Sequence, residues 1–245
     1  MPGIVAIIPA RFASTRFPGK MLVDRTGKPL IQHVYERVVE ASLVDRVIVA
    51  ADDERIIDAV RSFGGSAVMT RSDHANGTSR LAEAAASLEA DIIVNVQGDE
   101  PEIEPALIDL AIRALQSDAD APVATLASPF APDEDPANPN IVKVVIGQNR
   151  RALYFSRALI PYDRDRTGHA APLKHVGIYV YRRDFLLRYV TLSPTPLEQA
   201  EQLEQLRILE HGSPITVAVG QASFHGIDTP EQYDAFVTRY TATRH

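Results

Sequence analysis

The residues best suited to chemistry fall in three short stretches. In the first, VAIIPARFASTRFPGK (residues 5–20), Arg11, Arg16 and Lys20 share one loop with Ser14, Thr15 and a Pro18-Gly19 turn, directly after an apolar run. Three cations and two hydroxyls at a strand end suit an anion of several charges, such as a triphosphate. Arginine offers phosphate a planar fork and lysine a compact point charge. A solvated basic loop is the plainer alternative; the strand-end position and the rigid turn favour phosphate. Neither GxxxxGK[ST] nor GxGxxG is present. With Gly19 as the loop's single glycine, side chains rather than backbone amides must supply the positive charge.

The second stretch is VNVQGDEP (residues 94–101). Asp99 follows a strongly apolar strand through a glycine turn, where a nucleotide-bound magnesium takes a carboxylate alongside phosphate oxygens. A turn or helix-capping aspartate would be an equal reading of the same residue without the basic loop, which favours the metal ligand. The third stretch is FHGIDTPEQY (residues 224–233), in which Asp228 is fully explained as a helix N-cap, with Pro230 and Glu231 in the first turn. The seven histidines form no HExxH or other zinc spacing.

The elements that must position these residues alternate regularly. Residues 4–8 form a continuous apolar run, as strands buried on both faces do. Helical spacing follows over 28–42, with Pro29 at the first helical position, then a strand at 46–51, a helix at 54–63, a strand at 66–70, a helix at 78–88, a strand at 91–96 and a helix at 104–116. This rhythm implies an α/β chain with right-handed crossovers and a mainly parallel sheet covered on both faces, where ligands bind beyond the carboxyl ends of the strands. Further on, 131–140 reads as a surface loop, 141–146 and 152–155 as a hairpin, 163–172 as an exposed loop and 174–181 as a strand. A helix at 184–189, one amphipathic helix at 197–211, a strand at 215–219 and a closing helix at 230–240 complete the chain.

Composition narrows the possibilities. The 245 residues, 45 % hydrophobic and 23 % charged, suit one large α/β domain or one domain with a subdomain. A net charge of −7 argues against a general nucleic-acid or anionic-membrane binder. The absence of cysteine excludes disulfides and thiolate chemistry. No signal-peptide pattern or long apolar run is visible, so a soluble, cytosolic protein is expected.

PARFASTRFPGK, TRSDHANGTSR, VNVQGDEP, HVGIYVYRRDFL, LEQLR and GIDTPE occur in this order over nearly the whole chain. Together they resemble the 3-deoxy-manno-octulosonate (Kdo) cytidylyltransferase family. The basic loop alone points to sugar-nucleotide cytidylyltransferases in general, while HVGIY and LEQLR narrow the resemblance to the Kdo enzymes.

The resemblance implies a three-layer, Rossmann-like nucleotidyltransferase fold with a mainly parallel mixed sheet, and a homodimer formed through a small subdomain at 131–172. It implies transfer of CMP from CTP to the anomeric hydroxyl of Kdo, with pyrophosphate released, for the lipopolysaccharide inner core. Lys20, Arg11 and Asp99 then become the catalytic candidates. For CTP it implies Arg11, Ser14, Thr15, Arg16 and Lys20 on the triphosphate, with Lys20 at the α-phosphate, and Arg71, Ser79 and Gln97 about the base. Asp99 and Asp228 become the Mg2+ ligands. For Kdo it implies Gln97, Arg157, His175, Tyr179, Glu204 and Gln205. Ser79 stands where the family usually carries an acidic residue, and Ala75-Asn76 also departs from the common pattern. Plainer readings remain for the sugar residues: His175 and Tyr179, four apart on one strand face, also suit a hydrogen-bonded core pair, and Glu204 a solvated helix face. The rival functions are a sialic acid or 8-amino-Kdo cytidylyltransferase, a regulatory CTP binder and an acidic interaction module.

Overall fold

The computed structural model describes residues 3–14, 16–74, 76–224 and 226–242. The chain divides into two compact units, Met1–Ala106 with Phe224–His245, and Leu107–Ser223. In chain order the elements are β1 (Gly3–Ala10), α1 (Leu30–Val39), β2 (Arg46–Ala51), α2 (Glu54–Ser62), β3 (Ala67–Met69), α3 (Gly77–Ala86), β4 (Ala90–Asn95) and α4 (Pro105–Ser117). There follow β5 (Val123–Pro129), β6 (Lys143–Ile146), β7 (Ala152–Ser156), β8 (Leu173–Arg182), α5 (Arg183–Tyr189), α6 (Pro196–Glu201), α7 (Gln205–Glu210), β9 (Ile215–Val219) and α8 (Pro230–Ala242).

In the first unit the strands run in the order β3-β2-β1-β4, all parallel. Successive strand side chains point to opposite faces. Val5, Ala6, Ile7 and Ile8 are all at most 4 % exposed, so both faces of β1 are covered. Burying each such valine or isoleucine contributes about 1.5–3 kcal/mol, which explains why these strands read as unbroken apolar runs. The helices start at identifiable caps: the Asp53 carboxylate accepts from the Arg55 N–H ahead of α2, and the Asn76 side chain accepts from the Ser79 N–H ahead of α3. Pro29 lies one residue before α1, at its cap, rather than at its first position.

The closing helix α8 belongs to this unit. Its Tyr233 and Phe236 form a core cluster with Leu30 and Ile227, and Phe17 of the basic loop packs against it. The turn before α8 is closed reciprocally: the Gln232 N–H donates to Thr229 Oγ1, and Gln232 Oε1 accepts from the Thr229 N–H. Thr229 therefore caps α8, and the expected capping role of Asp228 is corrected.

In the second unit β5 lies between β8, antiparallel, and β9, parallel, and the expected hairpin is the antiparallel pair β6–β7. Its first strand carries the fully buried Lys143, whose Nζ donates to the carbonyls of Asn138 (3.0 Å), Ile141 (2.7 Å) and Arg157 (2.6 Å). The expected single helix over 197–211 is two helices, α6 and α7. Gln202 adopts a left-handed conformation (φ 53°) between them. The carbonyls of Glu201 and Gln202 freed at this break accept from the Arg157 guanidinium. Among the described residues no helix is long and apolar enough to cross a membrane.

Candidate active site

At the carboxyl ends of β1 and β4 the first unit opens a cleft of about 400 Å3. Two glycines make its geometry possible. Gly19, at φ 70°, turns the basic loop so that its N–H reaches the Phe12 carbonyl (3.1 Å) and Lys20 begins a short 3-10 turn. Gly98 lets the chain leaving β4 pass close to β1: a Cβ there would lie 3.0 Å from the Pro9 carbonyl and 3.2 Å from Met21 Cε. With these two turns Arg11, Ser14, Arg16, Lys20, Gln97, Asp99 and Asp228 all line the cleft. Thr15 lies outside the described residues.

Lys20 organises the centre. Its side chain is 9 % exposed, and Nζ donates to Asp99 Oδ2 (2.6 Å), the Ile227 carbonyl (2.9 Å) and Asp228 Oδ1 (3.3 Å). The Asp99 carbonyl accepts from the Ile227 N–H (2.8 Å), which ties the strand-end turn to the segment entering α8. Arg16 Nη2 pairs with Asp228 Oδ2 at 3.0 Å. Asp228 thus spends its carboxylate on two cations of the basic loop. Beside Asp99, burial and then the Asp99 charge push Glu100 up to about 8, and its Oε2 is buried without a partner.

The donor set suits a hard divalent cation. Two carboxylates converge on a single cationic atom, and magnesium is held by one or two carboxylates with substrate oxygens completing its shell. Among the described residues no group of three or more His, Cys, Asp or Glu could hold a metal by itself.

The base-side residues are placed less as expected. Arg71 and Ser79 are not among the described residues lining the cleft. Arg71 is exposed and pairs with Asp73 (3.1 Å), and the Ser79 hydroxyl donates to the Asn76 carbonyl (2.9 Å). From the same segment it is His74, Asn76, Gly77 and Arg80 that line the cleft. The motif TRSDHANGTSR contains all four, but nothing in their spacing marks them as inward-facing. His74 Nε2 bonds the Glu83 carboxylate. Arg80, 5 % exposed, bonds Asp52 Oδ2 (2.9 Å) and Thr70 Oγ1 (2.6 Å).

Of the residues expected about Kdo, Gln97 lines the first unit's cleft and the others belong to the second unit. His175 Nε2 bonds Thr125 Oγ1 (3.0 Å), its ring lies 5.3 Å from that of Tyr179, and burial lowers its pKa to about 4. Tyr179 is raised well above its ordinary value by burial, then by the charge of Glu204. The Arg157 guanidinium donates to the carbonyls of Glu201 (2.8 Å), Pro139 (3.1 Å) and Gln202 (3.5 Å). Gln205 is buried at the start of α7. His175 and Tyr179, both half-buried, therefore lie ring to ring within reach of the half-buried Glu204's charge, while Arg157 braces the helix break.

A cytidylyltransferase family model matches residues 5–215. A 3-deoxy-manno-octulosonate cytidylyltransferase of Geobacter metallireducens is 54 % identical, covering 96 % of this chain and 97 % of its own. The enzyme of the same name from Syntrophobacter fumaroxidans is 55 % identical, covering 96 % and 95 %. Among solved structures, a CMP:2-keto-3-deoxy-manno-octonic acid synthetase complexed with CTP superposes with a TM-score of 0.94 at 46 % identity, covering 98 % of this chain and 99 % of its own. The fold is thus the Rossmann-like nucleotidyltransferase type expected from the resemblance. This chain belongs to the 3-deoxy-manno-octulosonate cytidylyltransferase family.

Proposed function

We propose that this protein transfers CMP from CTP to Kdo, giving CMP-Kdo and pyrophosphate for the lipopolysaccharide inner core. The observation that carries this reading is the convergence of Lys20 on Asp99 and Asp228 at the head of a cleft lined by Arg11, Ser14 and Arg16. The anomeric hydroxyl oxygen attacks the α-phosphorus of CTP and gives up its proton to water, the bond to the bridging oxygen of the β-phosphate breaks, and pyrophosphate leaves. Positioning and neutralisation of developing charge account for most of the acceleration in such in-line transfers. Lys20 serves the α-phosphate, and Arg11, Arg16, Ser14 and Thr15 hold the remaining phosphates. Gln97 is assigned to the base and the sugar, and Arg71 and Ser79 to the base, which they reach only if the segment about them shifts from the arrangement in which neither lines the cleft.

Asp99 and Asp228 would hold Mg2+. Bound there, the ion would screen the repulsion between two anionic substrates and lower the pKa of the attacking hydroxyl. Arg157, His175, Tyr179, Glu204 and Gln205 are assigned to Kdo. We further infer a cytoplasmic homodimer associated through residues 131–172; a light-scattering mass at the 26.8 kDa of one chain would contradict that assembly.

Pyrophosphate release is measured with Mg2+, Kdo and each of CTP, UTP, ATP and GTP. Release with CTP and Kdo alone supports the proposal. Release with CTP and a different acid overturns the sugar assignment, and no release with any pair favours a protein that only binds nucleotide.

A further inference from the structure

The basic loop is held in place by a residue outside every motif considered above. Asp52 follows β2 directly, and its carboxylate is divided between two partners. Oδ1 accepts the Phe12 N–H at 3.0 Å, and Oδ2 accepts Arg80 Nη2 at 2.9 Å. Both side chains of that ion pair are nearly buried, at 10 % and 5 % exposure. Arg80 Nη1 donates to Thr70 Oγ1, whose hydroxyl donates to the Ala51 carbonyl (3.0 Å), so the pair is anchored to the ends of β2 and β3.

Phe12 is the hub on the other side. Its carbonyl accepts the N–H groups of Ser14 and Gly19, both at 3.1 Å, and its ring lies 3.4 Å beneath the Arg55 guanidinium carbon. The loop that carries Arg11, Ser14, Arg16 and Lys20 therefore folds around Phe12, whose N–H ends on Asp52. The Arg80 side of the same carboxylate lines the cleft.

We propose that Asp52 is a positioning residue for nucleotidyl transfer: held in place by Arg80, its carboxylate sets the triphosphate loop through the Phe12 N–H. The proposal rests on the CMP-transfer reading. Because Asp52 holds the loop through the Phe12 backbone N–H, its contribution follows the order of that loop rather than the ion pair as such.

The test compares the parent with Asp52→Ala and Asp52→Asn by steady-state kinetics at saturating Kdo and by hydrogen exchange of the Phe12 amide. Asp52→Ala removes both acceptors, and is expected to lose Phe12 protection and at least tenfold in kcat/KM for CTP, with KM for Kdo within twofold. Asp52→Asn keeps one oxygen for the Phe12 N–H but loses the negative charge that pairs with Arg80 and turns its amide NH2, a donor, toward the guanidinium. It is expected to retain Phe12 protection and most of kcat/KM for CTP while its thermal midpoint falls, and it carries the comparison should Asp52→Ala not fold. A variant that loses Phe12 protection with kcat/KM within twofold of the parent overturns the proposal. So does a loss of kcat/KM for CTP with Phe12 still protected. A parent that releases no pyrophosphate from CTP and Kdo sinks the CMP-transfer reading instead, whatever Phe12 shows.

Discussion

Replacing Lys20 with alanine removes a side chain that bonds both candidate metal ligands. Its ammonium has three acceptors within 3.3 Å, so the change leaves the carboxylates of Asp99 and Asp228 without their shared cation and the Ile227 carbonyl without its donor. Deleting one member of a fully buried charge pair costs about 3–5 kcal/mol. Here the Asp99 and Asp228 side chains are 24 % and 42 % exposed, and solvent takes up most of that cost. About 1–2 kcal/mol remains, a fall of roughly 2–8 °C in thermal midpoint for a chain of this size. The effect on rate is larger, because a cation aimed at charge developing on the α-phosphate acts mainly in the transition state. Loss of one such donor costs about a hundred- to a thousandfold in kcat. Both quantities are read on one preparation, kcat by coupled pyrophosphate release at saturating CTP, Kdo and Mg2+, and the midpoint by calorimetry. Since the variant leaves two carboxylates facing each other, Mg2+ alone should raise its midpoint more than it raises the parent's. A variant that folds and keeps kcat within threefold of the parent would refute the role given to Lys20.

Asp228→Asn keeps the side-chain shape and removes one of the two carboxylates, so the Mn2+ affinity measured by electron paramagnetic resonance in the presence of CTP should weaken at least tenfold; an unchanged affinity would remove Asp228 from the metal site. Gly98→Ala sets a methyl 3.0 Å from the Pro9 carbonyl, a backbone atom fixed in the β1 ladder, and should cost about 1–3 kcal/mol in denaturant unfolding, whereas a neutral result would show that the turn has slack. His175 is neutral in the folded chain down to about pH 4, while the unfolded chain takes up the proton from about pH 6.5 downward. Stability should therefore fall as pH drops through that window, and His175→Gln should flatten the dependence; equal slopes for the two proteins would contradict the burial argument.

The sequence made the first unit legible because its strands are buried on both faces and so lack the alternation that confuses short apolar runs with helices. The basic loop and Asp99 could be found for a similar reason: each ends such a run, and position alone gave the residue a purpose. The single helix expected over 197–211 failed because apolar spacing continues across Gln202, while the break depends on Arg157, 45 positions earlier, which takes the released carbonyls. Asp228 reads as a cap because aspartate is the stronger N-cap former of the two neighbours, and only the fold brings Arg16 and Lys20 to it and leaves the cap to Thr229. Ser79 and Arg80 are neighbours in sequence, yet one hydroxyl closes a helix turn and the other side chain turns inward to Asp52. A linear reading cannot separate them, because the partner that decides is 28 residues away.

The chain has four lysines, and three of them, Lys20, Lys143 and Lys174, are at most 8 % exposed. Each buried ammonium is fixed differently: Lys20 by two carboxylates and a carbonyl, Lys143 by three carbonyls, Lys174 by the Glu134 carboxylate. An acylating reagent attacks only an accessible, deprotonated amine, so among the lysines of the folded protein it should meet Lys28 first and the other three only when their surroundings open. Timed acetylation read by peptide mass would then act as three separate clocks, one for the cleft, one for the loop ahead of β6 and one for the start of β8.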